Sequence, residues 1–225
     1  MVRRAKGYVE PEDLDRQSAR WLAEIRRSVA PRPRLVLHPE KCGLLVVDML
    51  CYFASPEGRC YLPAAAAMTP RLAALIEAWH RRGGGVFFTR HCHEGPHDLG
   101  MLGRFFSDHI RCGEPDSEII PELPRRPDDP VVRKTTYDAF LWTELEGLLR
   151  QRALEQVLVT GVLTHLCCET TARAAFCRGF EVYVAVDATA SSEERLHFGS
   201  LLGLADGVAV ILSTREILDR CGEPR

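Results

Sequence analysis

No apolar run in the 225 residues approaches the ~20 needed to cross a bilayer. The first residues, Met-Val-Arg-Arg-Ala-Lys-Gly, lack the apolar core of a signal peptide. A membrane partner is therefore not expected. Charge of one sign is lacking too: 29 Lys and Arg face 31 Asp and Glu, for a net charge of −2. The two signs are mixed along the chain, which argues against a nucleic-acid partner. Cysteine is not scarce, with nine residues, but no two stand in a Cys-x-x-Cys pair. Neither a zinc ribbon nor a disulfide framework is signalled, and most of the thiols are expected to be small buried hydrophobes in a reducing, cytoplasmic setting. There is no internal repeat and no second domain boundary.

Hydrophobic residues make up 46% of the chain, ample for one sizeable core. Residues 1 to about 10 read as loosely attached. Pro11 to about Val29 reads as an amphipathic helix, so residues 1–34 form a leader that packs on the main domain or on a neighbouring subunit. Six short apolar runs follow, at 44–48, 86–89, 131–134, 157–160, 182–186 and 208–212. Helical patterns alternate with them. Thr69 and Pro70 read as a helix start, Thr143 and Glu146 as a capping box, and Ser213 and Glu216 as another. Strands alternating with helices predict an α/β fold, a three-layer α/β/α sandwich around a six-stranded parallel sheet, over 35–218, with 219–225 as a tail. Residues 90–130 show little regular structure, and long loops of this kind are often functional.

Three strands end in reactive side chains: Asp48, Lys134 and, just past the fourth, Cys167. In a right-handed parallel sheet these ends share one edge, where ligands bind. A carboxylate there can take a thiol proton, and an ammonium favours thiolate and keeps the carboxylate ionised. Each residue alone has a plainer reading: a loop acceptor, a solvated Lys beside Arg133, a core thiol. Only the joint pattern points to chemistry.

Three blocks carry more than periodicity. Leu45-Val-Val-Asp-Met49, Val132-Arg-Lys-Thr-Thr-Tyr-Asp-Ala-Phe140 and Thr160-Gly-Val-Leu-Thr-His-Leu-Cys-Cys-Glu-Thr-Thr-Ala-Arg-Ala-Ala-Phe176 resemble, in order, the signature blocks of the isochorismatase-like cysteine hydrolase superfamily. The resemblance implies a Rossmann-like sheet and a catalytic triad of Asp48, Lys134 and Cys167. The family pattern Gly-Val-x-Thr-x-x-Cys selects Cys167 over Cys168. The resemblance also implies a cis peptide between Val162 and Leu163, with the N–H groups of Leu163 and Cys167 as an oxyanion hole.

Two chemistries occur in that superfamily. Its amidases attack a carbonyl with the cysteine and pass through a thioester; its isochorismatases hydrolyse a vinyl ether by proton transfer from the aspartate and typically carry Gly at the cysteine position. Here the leader, Tyr52-Phe53 and His165 resemble the isochorismatase branch, whereas Cys167, Thr164 and Arg173 resemble the amidase branch. The expected function is cysteine-dependent hydrolysis of a small-molecule C–N bond (amide, carbamoyl or ureido). The alternative is vinyl-ether hydrolysis with Asp48 as general acid. Phe53, His91, Tyr137 and Phe140, together with Trp142, are expected to line the pocket. The nicotinamidases of the superfamily bind zinc through an Asp-x-His pair in this region; here His91 and His93 form a His-x-His pair without a clear fourth ligand, and no cofactor is expected. The leader and the family habit imply a homodimer or homotetramer.

Overall fold

Side-chain alternation along the strands builds two apolar layers from one sheet. The computed structural model describes residues 7–222. Its six strands are β1 (Cys42–Val47), β2 (Val86–His91), β3 (Val131–Lys134), β4 (Gln156–Val162), β5 (Glu181–Ala190) and β6 (Ala209–Leu212). All neighbours pair in parallel, in the order β3-β2-β1-β4-β5-β6. Leu44, Val46, Val86, Phe88 and Leu158 point into one core and Leu45, Val47, Phe87, Val157 and Val159 into the other. Strands buried on both faces lack polar alternation, which is why these runs read as continuously apolar.

The first core is closed by α3 (Pro63–Arg81) and α8 (Thr214–Arg220), through Leu72, Leu75, Ile76 and Ile217. The second is closed by α1 (Leu14–Ser28), α5 (Leu145–Gln151), α6 (Glu169–Cys177) and α7 (Glu194–Gly207). Each fully buried Leu, Ile or Phe in these layers contributes about 1.5–3 kcal/mol. Two short helices, α2 (Cys51–Ala54) and α4 (Leu102–Phe105), lie in the loops after β1 and β2. Among the described residues no helix is long and apolar enough to cross a membrane.

The expected leader is integral to the domain. Trp21 of α1 is buried against the ring of His197 in α7 at 4.7 Å, and its Nε1 donates to Glu194. Tyr8 packs against both rings, and its hydroxyl accepts from the Ser191 N–H. Residues 7–10 are thus docked rather than loose; residues 1–6 and 223–225, parts of the expected leader and tail, lie outside the described residues.

Three local expectations are corrected. Helix α3 starts at Pro63, so Pro70 is inside it; Thr69 does not cap but donates its hydroxyl to the Ala65 carbonyl one turn back. The box at Thr143 does not form, because α5 starts later, at Leu145, and the Thr143 hydroxyl accepts from the Leu145 N–H rather than from that of Glu146. Cys92 and Cys112 are joined in a disulfide, which no sequence spacing announced. The box at Ser213 and Glu216 does form, with both reciprocal bonds. Ser213→Ala is expected to cost about 1 kcal/mol, lowering Tm by roughly 2–4 °C in a thermal melt with no change in activity.

Candidate active site

The strand order reverses direction between β1 and β4, and the crevice outside their carboxyl ends is where ligands bind in open α/β sheets. The residue just past β1 is Asp48, held in the left-handed region at φ 46°. An Asp tolerates that conformation better than most residues. Thr89 of β2 pins it twice: its hydroxyl accepts from the Asp48 N–H at 3.0 Å and donates to Oδ1 at 2.6 Å. Gly161 of β4 passes so close that a Cβ there would lie 2.0 Å from the Val47 carbonyl, and its φ of 97° suits only glycine. That close approach sets the β4 turn beside Asp48. The peptide between Val162 and Leu163 is cis, and one π-type turn, Thr164–Cys168, leads into α6.

The structure brings the three strand-end residues together. Lys134 Nζ lies 2.7 Å from Asp48 Oδ2 and donates to Cys167 Sγ at 3.2 Å and to the Thr136 carbonyl at 2.9 Å. The Asp48 and Lys134 side chains are wholly buried and Cys167 nearly so. Cys168 is turned away, its thiol donating to the Thr160 carbonyl inside the core. The two adjacent thiols thus face different surroundings, Cys167 the cavity and Cys168 the core.

Burial pushes the Asp48 carboxyl up, but the ammonium of Lys134, the His91 ring and the hydrogen bonds from Lys134 and Thr89 outweigh it and hold its pKa below the usual carboxylate value. Burial favours neutral Lys134, yet the negative groups Asp48 and Cys167 push its pKa up instead. The Cys167 thiol is raised to about 12: burial is the largest cause, Lys134 pulls down, and the charge and hydrogen bond of Asp48 push up. These shifts favour a carboxylate and an ammonium, with a neutral thiol whose sulfur accepts from the ammonium. One ammonium already paired to Asp48 does not offset the desolvation of the thiol.

The active edge opens into a cavity of about 300 Å³, at the lower end of the range for small-molecule sites. Asp48, His91, Leu163 and Cys167 form its floor, and Tyr52, Phe53, Phe106, Ile110 and Tyr137 contribute aromatic and aliphatic walls. Of the expected lining residues, Phe53, His91 and Tyr137 are there. Phe140 is not: it is buried in the second core, its ring 6.0 Å from Phe180 and under the guanidinium of Arg178. Trp142 is 82% exposed and lines nothing.

Several walls come from residues that sequence reasoning did not single out. Leu102, Phe106, Ser107, Asp108 and Ile110 sit on the segment between Cys92 and Cys112. The disulfide and the bridge of His93 to Arg111, with His93 N–H donating to the Ile110 carbonyl, fasten the two ends of that segment. The Leu50 to Ile119 bridge likewise fixes α2, which carries Tyr52 and Phe53. Phe53 next to Tyr52 was the only local signal.

The His91 and His93 rings are paired with each other. Their Nε2 atoms face each other at 3.1 Å, a hydrogen bond, and His93 Nδ1 donates to the Asp98 carbonyl. That tautomer leaves His93 Nε2 to accept from His91, whose Nδ1 then faces Lys134 Nζ at 3.4 Å. Among the described residues no three His, Cys, Asp or Glu side chains are grouped to hold a metal ion.

The fold and this edge define a three-layer α/β/α scaffold with a buried Asp–Lys–Cys cluster at the carboxyl ends of its strands. The Isochorismatase domain family model matches residues 42–216, and the chain belongs to that family. It is 42% identical over 174 residues to Nicotinamidase 3 of Arabidopsis thaliana, covering 76% of this chain and 83% of that protein. It is 28% identical over 181 residues to Enterobactin synthase component B of Escherichia coli (strain K12), covering 80% of this chain but 63% of that protein's length. Among solved structures it resembles a cysteine hydrolase from Pseudomonas syringae pv. phaseolicola 1448A, with a TM-score of 0.81, 27% identity and coverage of 86% of this chain and 98% of that one.

Proposed function

We propose that this isochorismatase-family hydrolase is an amidase that cleaves a small C–N bond through a thioester on Cys167. The observation that carries this reading is the Cys167 thiol at the floor of the cavity, within 3.2 Å of an ammonium that is itself paired with Asp48. The likeness to Nicotinamidase 3 supports it.

In the first half-reaction, Asp48 accepts the thiol proton as Sγ attacks the carbonyl carbon. The N–H groups of Leu163 and Cys167 receive the oxyanion that develops. Protonated Asp48 then returns its proton to the leaving nitrogen, the C–N bond breaks, and ammonia or an amine departs from the thioester. In the second half, Asp48 deprotonates a water that attacks the same carbon, the C–S bond breaks, and the proton returns to sulfur. Lys134 does not transfer a proton. Its ammonium keeps Asp48 ionised between steps and offsets the charge on sulfur during attack. The neutral His91 behind it, its pKa lowered to about 3 by burial and Lys134, adds no competing charge.

The vinyl-ether alternative has less support here. Isochorismate carries two carboxylates, and among the described residues no Lys or Arg lines the cavity. Wild-type protein is expected to release ammonia from at least one member of a panel of aryl amides, carbamoyl and ureido compounds. Pyruvate from isochorismate with no ammonia from any amide would reverse the assignment.

The ionisation pattern sets the pH profile. An aspartate whose pKa is depressed is ionised above its ordinary 3.8 and loses its charge only below it. The raised Lys134 stays charged on the alkaline side. The kcat/KM for a neutral amide is therefore expected to be flat between about pH 5 and pH 9, with an acid limb below about pH 4. Thr89→Val, which removes the bond to Oδ1, moves that limb to higher pH. A rate that climbs tenfold per unit through neutrality would mean that pre-formed thiolate is the attacking species.

A further inference from the structure

The cavity mouth carries charge of one sign. Among the lining side chains the only ionisable groups outside the floor and its tyrosines are Cys60 and Asp108. Asp108 is held in place: Tyr52 donates its hydroxyl to Oδ2 at 2.9 Å, and Arg59 Nε lies 3.4 Å from the same oxygen. Among the described residues Oδ1 accepts no hydrogen bond. Arg59 does not cancel the charge, because it is shared with Asp116 at 3.0 Å and its guanidinium leans over the Tyr52 ring. One cation thus serves two carboxylates. Arg90 of β2 is paired with Glu118 at 2.9 Å. The field of Asp108 reaches the cavity, since it helps to raise the thiol of Cys60, after burial, and the hydroxyl of Tyr52.

We propose that Asp108 is a specificity-determining residue that selects amides bearing a positive charge or a hydrogen-bond donor at the end remote from the scissile bond, and rejects anionic ones. The inference rests on the amidase reading and narrows its substrate class. The geometry provides two ends: the amide carbonyl must reach Cys167 on the floor, and the aromatic walls between hold a flat body. Whatever projects from the far side of that body meets Oδ1 of Asp108, with Ser107 beside it. An ammonium or N–H there finds an acceptor already oriented by Tyr52, whereas a carboxylate finds a like charge, and the Arg59 guanidinium beside it is already shared by two carboxylates. Isosteric amides differing only in that substituent are then ranked by charge. Because the Asp108 side chain is about half exposed, at 51%, the discrimination is solvent-screened and amounts to about fivefold per charge step. It weakens as salt is raised.

The test uses the whole protein and three probes: benzamide, meta-aminomethylbenzamide and meta-carboxybenzamide. Ammonia release gives kcat/KM for each, and calorimetry on Cys167→Ala gives their affinities without turnover. The wild type is expected to rank the ammonium probe above the neutral one and the carboxylate probe last. Asp108→Asn lowers the ammonium-to-neutral ratio about fivefold and raises the carboxylate-to-neutral ratio similarly. Arg59→Gln, which frees more negative charge, shifts both ratios the opposite way. Ratios within one variant are insensitive to partial misfolding, and opposite shifts in two variants are not produced by it. Ratios that stay unchanged in Asp108→Asn, or absence of any charge ranking in binding, overturn the proposal. No ammonia from any probe, with the binding ranking intact, overturns the amidase reading and leaves the selectivity of the mouth standing.

Discussion

Replacing Cys167 by alanine is expected to abolish ammonia release, lowering kcat/KM by roughly 10⁴-fold or more, or upwards of about 5 kcal/mol of transition-state stabilisation. Without the sulfur there is no atom to carry the acyl group, and neither Asp48 nor Lys134 replaces it. The fold has little reason to suffer. Cys167 borders the cavity, so the lost sulfur leaves space continuous with it, and the change in stability should stay near ~1 kcal/mol. Binding of an amide should survive, because the aromatic walls and the backbone N–H groups are untouched. Cys168→Ala is the matched control: its thiol is wholly buried beneath the turn, and activity should persist while stability falls modestly. Substantial turnover by Cys167→Ala would remove the thioester route, and dependence on Asp48 alone would then favour vinyl-ether chemistry.

The second large effect falls on stability and activity together. Lys134→Met removes the cation from a pair whose side chains are both 0% exposed, leaving Asp48 charged, desolvated and uncompensated. Breaking such a pair costs about 3–5 kcal/mol, or a fall in Tm of roughly 10 °C for a chain of this size. The pH dependence follows from the sign of the shift. Asp48 is depressed in the folded wild type, so its contribution to stability is present above the ordinary carboxylate value and lost as pH falls through the folded one. In Lys134→Met the burial that pushes Asp48 up is no longer outweighed by the ammonium, so that variant should become relatively more stable as pH is lowered. The double variant Asp48→Asn/Lys134→Met removes both charges and is expected to recover most of the lost stability in a denaturant or thermal melt. Its activity should stay absent. Recovery of stability without recovery of turnover separates what the pair does for folding from what it does for chemistry.

How far the sequence disclosed this site depends on which part of the chain is considered. Asp48, Lys134 and Cys167 stand at strand ends, and apolar runs bounded by turns locate strand ends well; parallel topology then forces those ends to one edge. Gly161 punctuated the fourth run because only glycine can pass the Val47 carbonyl there. The cavity walls were another matter. Phe106, Asp108 and Ile110 belong to a segment with no periodicity, positioned by a disulfide and an isolated bridge between residues distant in sequence. No local pattern encodes such a closure. Phe140 shows the opposite failure: its nearness to Tyr137 in sequence implied a wall, but the Asp138 side chain accepts the Phe140 N–H and turns the chain inward, so the ring packs on Phe180. Charge proximity at Cys167 is visible in a motif, whereas the desolvation that raises its thiol is not.

The measurement that bears most directly on the central claim is the mass of the Cys167 peptide after acid quench within the first turnover of an amide substrate. The peptide also carries Cys168, so fragmentation must assign the adduct. An acyl group on Cys167, lost on incubation at neutral pH with release of the acid, is the predicted result. Ammonia released in the same interval with Cys167 unmodified, or with the acyl group on Cys168, would contradict it.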